Sequence, residues 1–600
     1  MSEDPRSPFP DITFQPLAPP EKHPFYKYSG FHPNRTTLLP KGHVKAPSYQ
    51  AFPLSVLMIE DQAIPLRDGT KIYTNIYRPS DTPRVPAILA WSPYGKSGAD
   101  GTGPQNYDTM GPFRMGIPYA SLSGYERFEG PNPADWCARG YAVVDPDARG
   151  SMDSEGDLHF WGAQEAADID DTISWIAGQP WCDGSVVMMG NSWLAISQVN
   201  FASRYRHPAL RAIAPWEAML DPYKESVARG GRKAPPGFGD MIVRGFAGRG
   251  SAENPFATLE KHPLYDEYWE SKAIDVSKID VPMYLTASYS SGIHSFGSFL
   301  NFGTRGKTKK WCRVHASQEW TDLYLASSND DLQRFFDFYA KGVQNGWETT
   351  PPLRLSLIGF RESPAKTIHE RPELTDDSYP LARTEMRKFY LDAESMSMRP
   401  ERTMTTSSCS FESHSFTDQV SFTLKFDKYT ELSGLPWARL YMHADEATDL
   451  DIVVQIRKTS LTGALLEWNN YYIPVRMADC PSTNVAKYLG PSGVLRASHS
   501  CSLDEKRHDD DYPSYNHRTA RPIEPRGKVV ELQVPIWPIG MVFEEGEEVA
   551  LVIAGHDLAY PEVIGFGPAP TSPVDQNTGK FGVHTGGEYA SCLYLPFIEG

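Results

Sequence analysis

Trp181-Cys182-Asp183-Gly184-Ser185-Val186-Val187-Met188-Met189-Gly190-Asn191-Ser192-Trp193-Leu194-Ala195 decides the reading of this 600-residue chain. A short apolar run, Val186 to Met189, leads into Gly190-x-Ser192, and a small-residue apolar segment follows at once. That order predicts a buried strand, a very sharp turn and a helix, with Ser192 at the apex. A serine so placed has an exposed hydroxyl, a strained backbone and a helix N-terminus beneath it, which suits attack on a carbonyl and stabilisation of the oxyanion. The plainer alternative is a serine capping the helix of an inert strand–helix turn. Three coincident signals favour the nucleophile.

Outward from the turn, Val85 to Trp91 and Gly140 to Asp145 are continuous apolar runs of the kind covered on both faces. Ile169, Ile173 and Ile176 recur at helical spacing between them and Ser192. Met58 to Tyr77 reads as a hairpin turning at Arg67-Asp68-Gly69. Strand, helix, strand, turn, helix is an α/β core with a mostly parallel sheet. We assign it to residues 51–215 and 280–350, preceded by an extended N-terminal arm over 1–50. Residues 216–279 lack strand patterns and are rich in Gly, Arg and Pro, and so predict a helical cap over the mouth of the sheet. From 351 to 600, short alternating runs such as Ala438-Arg439-Leu440-Tyr441-Met442-His443 predict a C-terminal all-β jelly-roll sandwich.

Composition narrows the function. The chain is 40% hydrophobic and 22% charged, and about two to four domains are expected for its length. A net charge of -17 argues against nucleic acid and anionic membranes as partners. No apolar run approaches the length of a membrane span, and the acidic, proline-rich start is unlike a secretory signal. Seven scattered cysteines without C-x-x-C point to reduced thiols and a cytoplasmic location. No metal-ligand motif is present and no cofactor is implied; the acid run Asp509-Asp510-Asp511 reads as a solvated loop. The expected partner is a small-molecule substrate, and a homo-oligomer is compatible with the sequence.

Several further motifs, spread from about residue 58 to residue 596, carry a resemblance. They are Pro65-Leu66-Arg67-Asp68-Gly69, Trp91-Ser92-Pro93-Tyr94-Gly95-Lys96, Asp147-Ala148-Arg149-Gly150-Ser151 with Ser154-Glu155-Gly156, and Pro535-Ile536-Trp537-Pro538 with His584-Thr585-Gly586-Gly587. With the Ser192 turn, they resemble the cocaine-esterase and X-Pro dipeptidyl-peptidase (CocE/NonD) family of serine hydrolases. The resemblance implies Ser192 as nucleophile, and the Trp193 amide and Tyr94 phenol as oxyanion donors. It departs from the family at the base and the acid. Where an acid is expected after the strand ending near Ala287, the chain reads Ser288-Tyr289-Ser290-Ser291-Gly292-Ile293-His294, with Ser291 at the acid's position. Where a histidine is expected, it reads His315-Ala316-Ser317-Gln318-Glu319-Trp320, with Gln318 or Glu319 in its place.

Three readings follow. His294 is the base and Glu319 orients it, the two having exchanged loops; or His315 is the base beside Asp322 or Glu319; or the serine is not efficiently activated. The first two make the protein a serine esterase, amidase or acyl-transfer enzyme for a small hydrophobic ester, amide or thioester. The third makes it a hydrolase-like protein that binds and cyclises or isomerises a substrate, as in secondary-metabolite assembly. Asp147 and Arg149 are read as shaping the turn through a buried salt bridge. Trp193, Trp216, Phe238 and Phe246 are candidates for an apolar acyl pocket, and Arg229, Arg232, Lys233 and Arg244 of the cap for an anionic substrate or an exposed polar face.

Overall fold

The computed structural model describes residues 9–24, 26–96, 107–108, 112–234, 238–304, 306–360, 368–370, 378–504, 512–524, 526–560 and 577–599. Ten strands form one sheet in the order Leu353–Arg354, Lys310–His315, Met283–Ser288, Leu210–Trp216, Cys182–Asn191, Val85–Leu89, Ala142–Pro146, Lys71–Pro79, Val56–Pro65 and Arg35–Leu39. The first seven run parallel. The hairpin and the edge strand join by antiparallel pairing. Burial on both faces explains the uninterrupted apolar runs. Successive side chains alternate sides: Val186 and Met188 pack with Ile169 and Ile173 of the helix Ala163–Ala177. Val187 and Met189 pack with Leu332 and Phe335 of the helix Ala326–Lys341. Each such aliphatic side chain contributes about 1.5–3 kcal/mol by leaving water.

The strand order reverses between Val85–Leu89 and Cys182–Asn191, since the chain leaves the first toward one edge and the second toward the other. A crevice at the carboxyl ends of strands opens at such a switch point. Tyr94 follows one of these two strands and Ser192 the other.

The cap consists of short pieces, among them a π-helical turn Tyr223–Val227 and the helices Phe238–Arg244, Pro255–Thr258 and Glu267–Lys272. Its one short strand, Ser251–Glu253, pairs antiparallel with Phe14–Pro16 of the N-terminal arm. Two of the basic cap residues are turned toward the sandwich, while Lys233 and Arg244 are exposed. Arg232 makes a paired contact with Asp557 of the sandwich. Arg229 bonds to Ser492 and lies 3.9 Å from the Trp537 ring. Lys233 pairs with Glu260. The Phe238 side chain and the acid run 509–511 lie outside the described residues.

Beyond the core, strands from Ser356–Ile358 to Cys592–Ile598 build an all-β sandwich, mostly antiparallel. It reaches back to the core. Trp468 Nε1 donates to the Ala316 carbonyl at 2.9 Å, and the Gln318 amide donates to the Asn470 carbonyl at 2.9 Å. None of the seven cysteines forms a disulfide. Among the described residues, no helix is long and apolar enough to cross a membrane.

The Tyr94 loop is held from beneath by Arg127, which is fully buried. Its guanidinium donates to the carbonyls of Ala90, Pro146, Ser92 and Gly95 at 2.5–3.1 Å. Burial pulls its pKa below the usual arginine value, with Asp145 and Asp147 as the nearest compensating charges. Arg127→Met strands four buried carbonyls and is expected to cost about 3–5 kcal/mol of stability, read as a lowered denaturation midpoint.

Candidate active site

Ser192 has φ 54° and ψ -119°, a conformation that non-glycine residues rarely adopt, and it caps the helix Trp193–Arg204. Gly190 permits the turn: a Cβ there would lie 2.5 Å from Leu194 Cβ. The first amide of a helix has no acceptor within the helix, so Trp193 N–H is available to a ligand oxygen. The Tyr94 phenol lies beside the Ser192 side chain, and burial keeps that phenol protonated far above the ordinary tyrosine range. The Tyr94 ring is fixed by Phe128, Trp193 and Phe246, with centroids 5.7, 6.4 and 6.1 Å away. Trp193 is itself anchored, its indole donating to Glu165 Oε1 at 2.8 Å. Trp216 is buried one strand away, paired with Asn191.

Five neighbouring parallel strands end in a row, and each is followed by a site residue: Tyr94, Ser192, Glu217, His294 and Glu319. His294 Nδ1 lies 3.4 Å from Glu319 Oε2 and 3.2 Å from Ser291 Oγ, which also accepts the His294 amide. Ser291, at the position expected for an acid, therefore holds the imidazole in place. Gln318 caps the short helix Glu319–Leu323 through its side chain. Glu319 begins that helix, and its Oε1 accepts from Asn191 Nδ2 at 3.2 Å. The residue next to Ser192 is thus bonded to the carboxylate that faces His294.

Glu129 and Glu217, neither singled out by sequence, complete the group. Glu129 Oε1 accepts from Asn191 Nδ2 at 3.0 Å and from Trp320 Nε1 at 2.7 Å. Glu217 Oε2 accepts from Ser288 Oγ at 3.1 Å, and its Oε1 lies 2.9 Å from His315 Nε2. Both glutamates have positive φ, 63° and 61°. The available signal for Glu217 was a carboxylate directly after the apolar run Ala212 to Trp216.

The second arrangement expected from sequence is not formed as described. The Asp322 oxygens are taken by the Arg313 guanidinium, and His315 faces Glu217 rather than Glu319. Asp147 and Arg149 each make a largely buried salt bridge, though not with each other. Asp147 binds Lys96, while Arg149 forks onto Asp168.

Electrostatics separates the roles. Burial alone would lower the His294 pKa, but Glu319, with Glu217 and Glu129 behind it, outweighs burial and raises it to about 9. Glu319 is held ionised against its burial chiefly by His294, with the Asn191 hydrogen bond also favouring its charge. Burial and the nearby Glu319 charge push Glu217 up into its protonated form. Burial, then Glu319, raises Glu129 to about 8. One ligand atom each from Glu217, His294 and Glu319 lies within 4.8 Å of the others, the single such set among the described residues.

A nucleophile elbow at the switch point of a parallel sheet, roofed by a cap and joined to a β-sandwich, defines an α/β hydrolase with a C-terminal jelly-roll-type domain. The X-Pro dipeptidyl-peptidase (S15 family) description matches residues 68–245, and that of the X-Pro dipeptidyl-peptidase C-terminal non-catalytic domain matches residues 345–594. The chain belongs to the CocE/NonD, X-Pro dipeptidyl-peptidase-like family. It is 33% identical over 389 residues to the cocaine esterase of Rhodococcus sp. (strain MB1 Bresler), an alignment covering 55% of this chain and 61% of that one. The match therefore spans less than two-thirds of that relative. The structure of a CocE/NonD family hydrolase from Staphylococcus aureus superposes with a TM-score of 0.81 at 28% identity, over 91% of this chain and 94% of that one. An α-amino acid ester hydrolase shares the fold at 16% identity, with a TM-score of 0.61 over 90% and 96% of the two chains.

If Tyr94 donates to a developing oxyanion, Tyr94→Phe lowers kcat on a chromogenic ester by about 10²–10³-fold with little change in KM or melting temperature. Stopped assays on the purified variant check this.

Proposed function

We propose that the protein is a serine hydrolase or acyl-transfer enzyme acting on a small, hydrophobic ester, amide or thioester through an acyl-enzyme at Ser192. The observation that carries this reading is the strained Ser192 turn at the switch point, with the Tyr94 phenol beside it. Neutral His294 takes the Ser192 proton as Oγ bonds to the substrate carbonyl carbon. Tyr94 and the Trp193 amide hold the oxyanion, and Glu319 stabilises the imidazolium. The proton then passes to the leaving group as its bond to carbon breaks. Water or another nucleophile, deprotonated in turn by His294, releases the acyl group. The rings of Phe128, Trp193 and Phe246 beside Tyr94 favour an apolar acyl part.

One observation favours a second reading, cyclisation or isomerisation of a bound substrate without an acyl-enzyme. An imidazole with its pKa near 9 is mostly charged at neutral pH, and so is a better acid than base there. A fluorophosphonate distinguishes the two. Stoichiometric labelling at Ser192, abolished in Ser192→Ala, is expected; an unlabelled, folded protein would instead support the second reading.

The base assignment also fixes a pH dependence. His294 must be neutral to accept a proton, so kcat/KM rises with pH to a plateau above about 9. Glu319→Gln removes the negative charge that favours imidazolium. It shifts the rising limb down toward the ordinary imidazole value of about 6.5 and lowers the plateau by about 10²–10⁴-fold.

A further inference from the structure

The acid that faces His294 is not alone. Glu217 follows the neighbouring strand Leu210–Trp216, its carboxyl fully buried and one of its oxygens within 4.8 Å of an oxygen of Glu319. Two carboxylates this close, one of them fully buried, cannot both be charged without large repulsion, so the pair holds a proton. The remaining neighbours decide where it resides. Glu319 accepts from Asn191 and faces His294, both of which favour its charge. Glu217 has Ser288 and His315 on its other side, and Ser288 lies opposite His315 in the sheet. Around them stand His294 and Glu129, with Asp322 acting on His315 and Cys312 near Glu217.

We propose that Glu217 is a positioning residue: it donates a shared proton to Glu319, fixing which oxygen of that carboxylate is left to orient His294. A single acid does this work in the serine–histidine–acid arrangement; here it is divided between two strands. This inference rests on the reading of His294 and Glu319 given above, but the shared proton exists or fails independently of turnover. The strained backbone of Glu217, φ 61°, is consistent with a side chain whose direction is imposed.

The predicted behaviour has a sign. As pH rises and the pair loses its proton, a second negative charge appears beside His294 and keeps the imidazole protonated to higher pH. Removing that ionisation must therefore move the rising limb of kcat/KM down. Glu217→Gln retains an N–H donor toward Glu319 but cannot ionise; Glu217→Leu removes the donor as well. In the full-length chain, with a p-nitrophenyl ester as substrate, Glu217→Gln is expected to recover about threefold or more of the plateau kcat that Glu217→Leu loses. Its limb midpoint moves down by half a pH unit or more. Glu217→Leu is expected to lose tenfold or more in kcat with KM little changed, at a melting temperature that shows it folded. The infrared difference spectrum, parent minus Glu217→Gln, should contain a protonated carboxylic-acid band at neutral pH, whether or not the protein turns over ester.

An unmoved limb, equal losses in the Gln and Leu variants, or a difference spectrum without that band would overturn the proposal. If the parent neither hydrolyses the ester nor reacts with a fluorophosphonate but shows the band, the shared proton stands and the Ser192 reading falls.

Discussion

The sharp turn at Ser192 is the constraint around which the molecule is arranged. A non-glycine residue at φ 54° costs about 1–3 kcal/mol and persists only where its surroundings over-determine it. Here they do so from three directions. Gly190 brings the strand against Leu194 of the following helix. The Asn191 amide donates to the Glu129 carbonyl. The Asn191 side chain is shared between Glu129 and Glu319. The bonds that stabilise the turn are thus the same bonds that tie it to the acid of the site, and its stability and its chemistry are linked through one amide side chain.

Grouping so many ionisable side chains is expensive, because each charge brought out of water loses several kcal/mol of solvation. The site limits that cost by pairing and by neutralising. Glu319 stays charged because His294 is charged beside it, and Glu217 and Glu129 are pushed toward their neutral forms. The Tyr94 phenol, buried among rings, stays protonated and remains a donor. What results is a region of low net charge with strongly directional hydrogen bonds, a suitable environment for charge that develops on a carbonyl oxygen.

Much of this was legible in the sequence wherever the signal is local. Strand, turn and helix at Ser192 occupy contiguous residues, and Tyr94 lies in a recognisable loop. His294 and Glu319 were candidates because each follows an apolar strand pattern, and the structure brings the two side chains together. The carboxylates that act on them were not legible. Glu217 lies where strand gives way to cap, and it was assigned to the cap. Glu129 enters from a loop of the Tyr94 side, and nothing in its neighbourhood of sequence points toward residue 191. The contacts of Arg229 and Arg232 were not legible for a related reason: their partners, Ser492 and Asp557, lie some 260 to 325 residues away, and no periodicity reports a contact across that distance.

Those same arginines bear on how the molecule admits its substrate. Arg232 is gripped by Asp557 from the far half of the chain, and Arg229 is sandwiched against Trp537 while bonded to Ser492. Lifting this part of the roof would expose two buried guanidinium groups and break charge-assisted bonds of about 1.5–3 kcal/mol each. A swinging door on that side is therefore a poor fit to this architecture. The roof on that side is bolted to the sandwich at its outer rim.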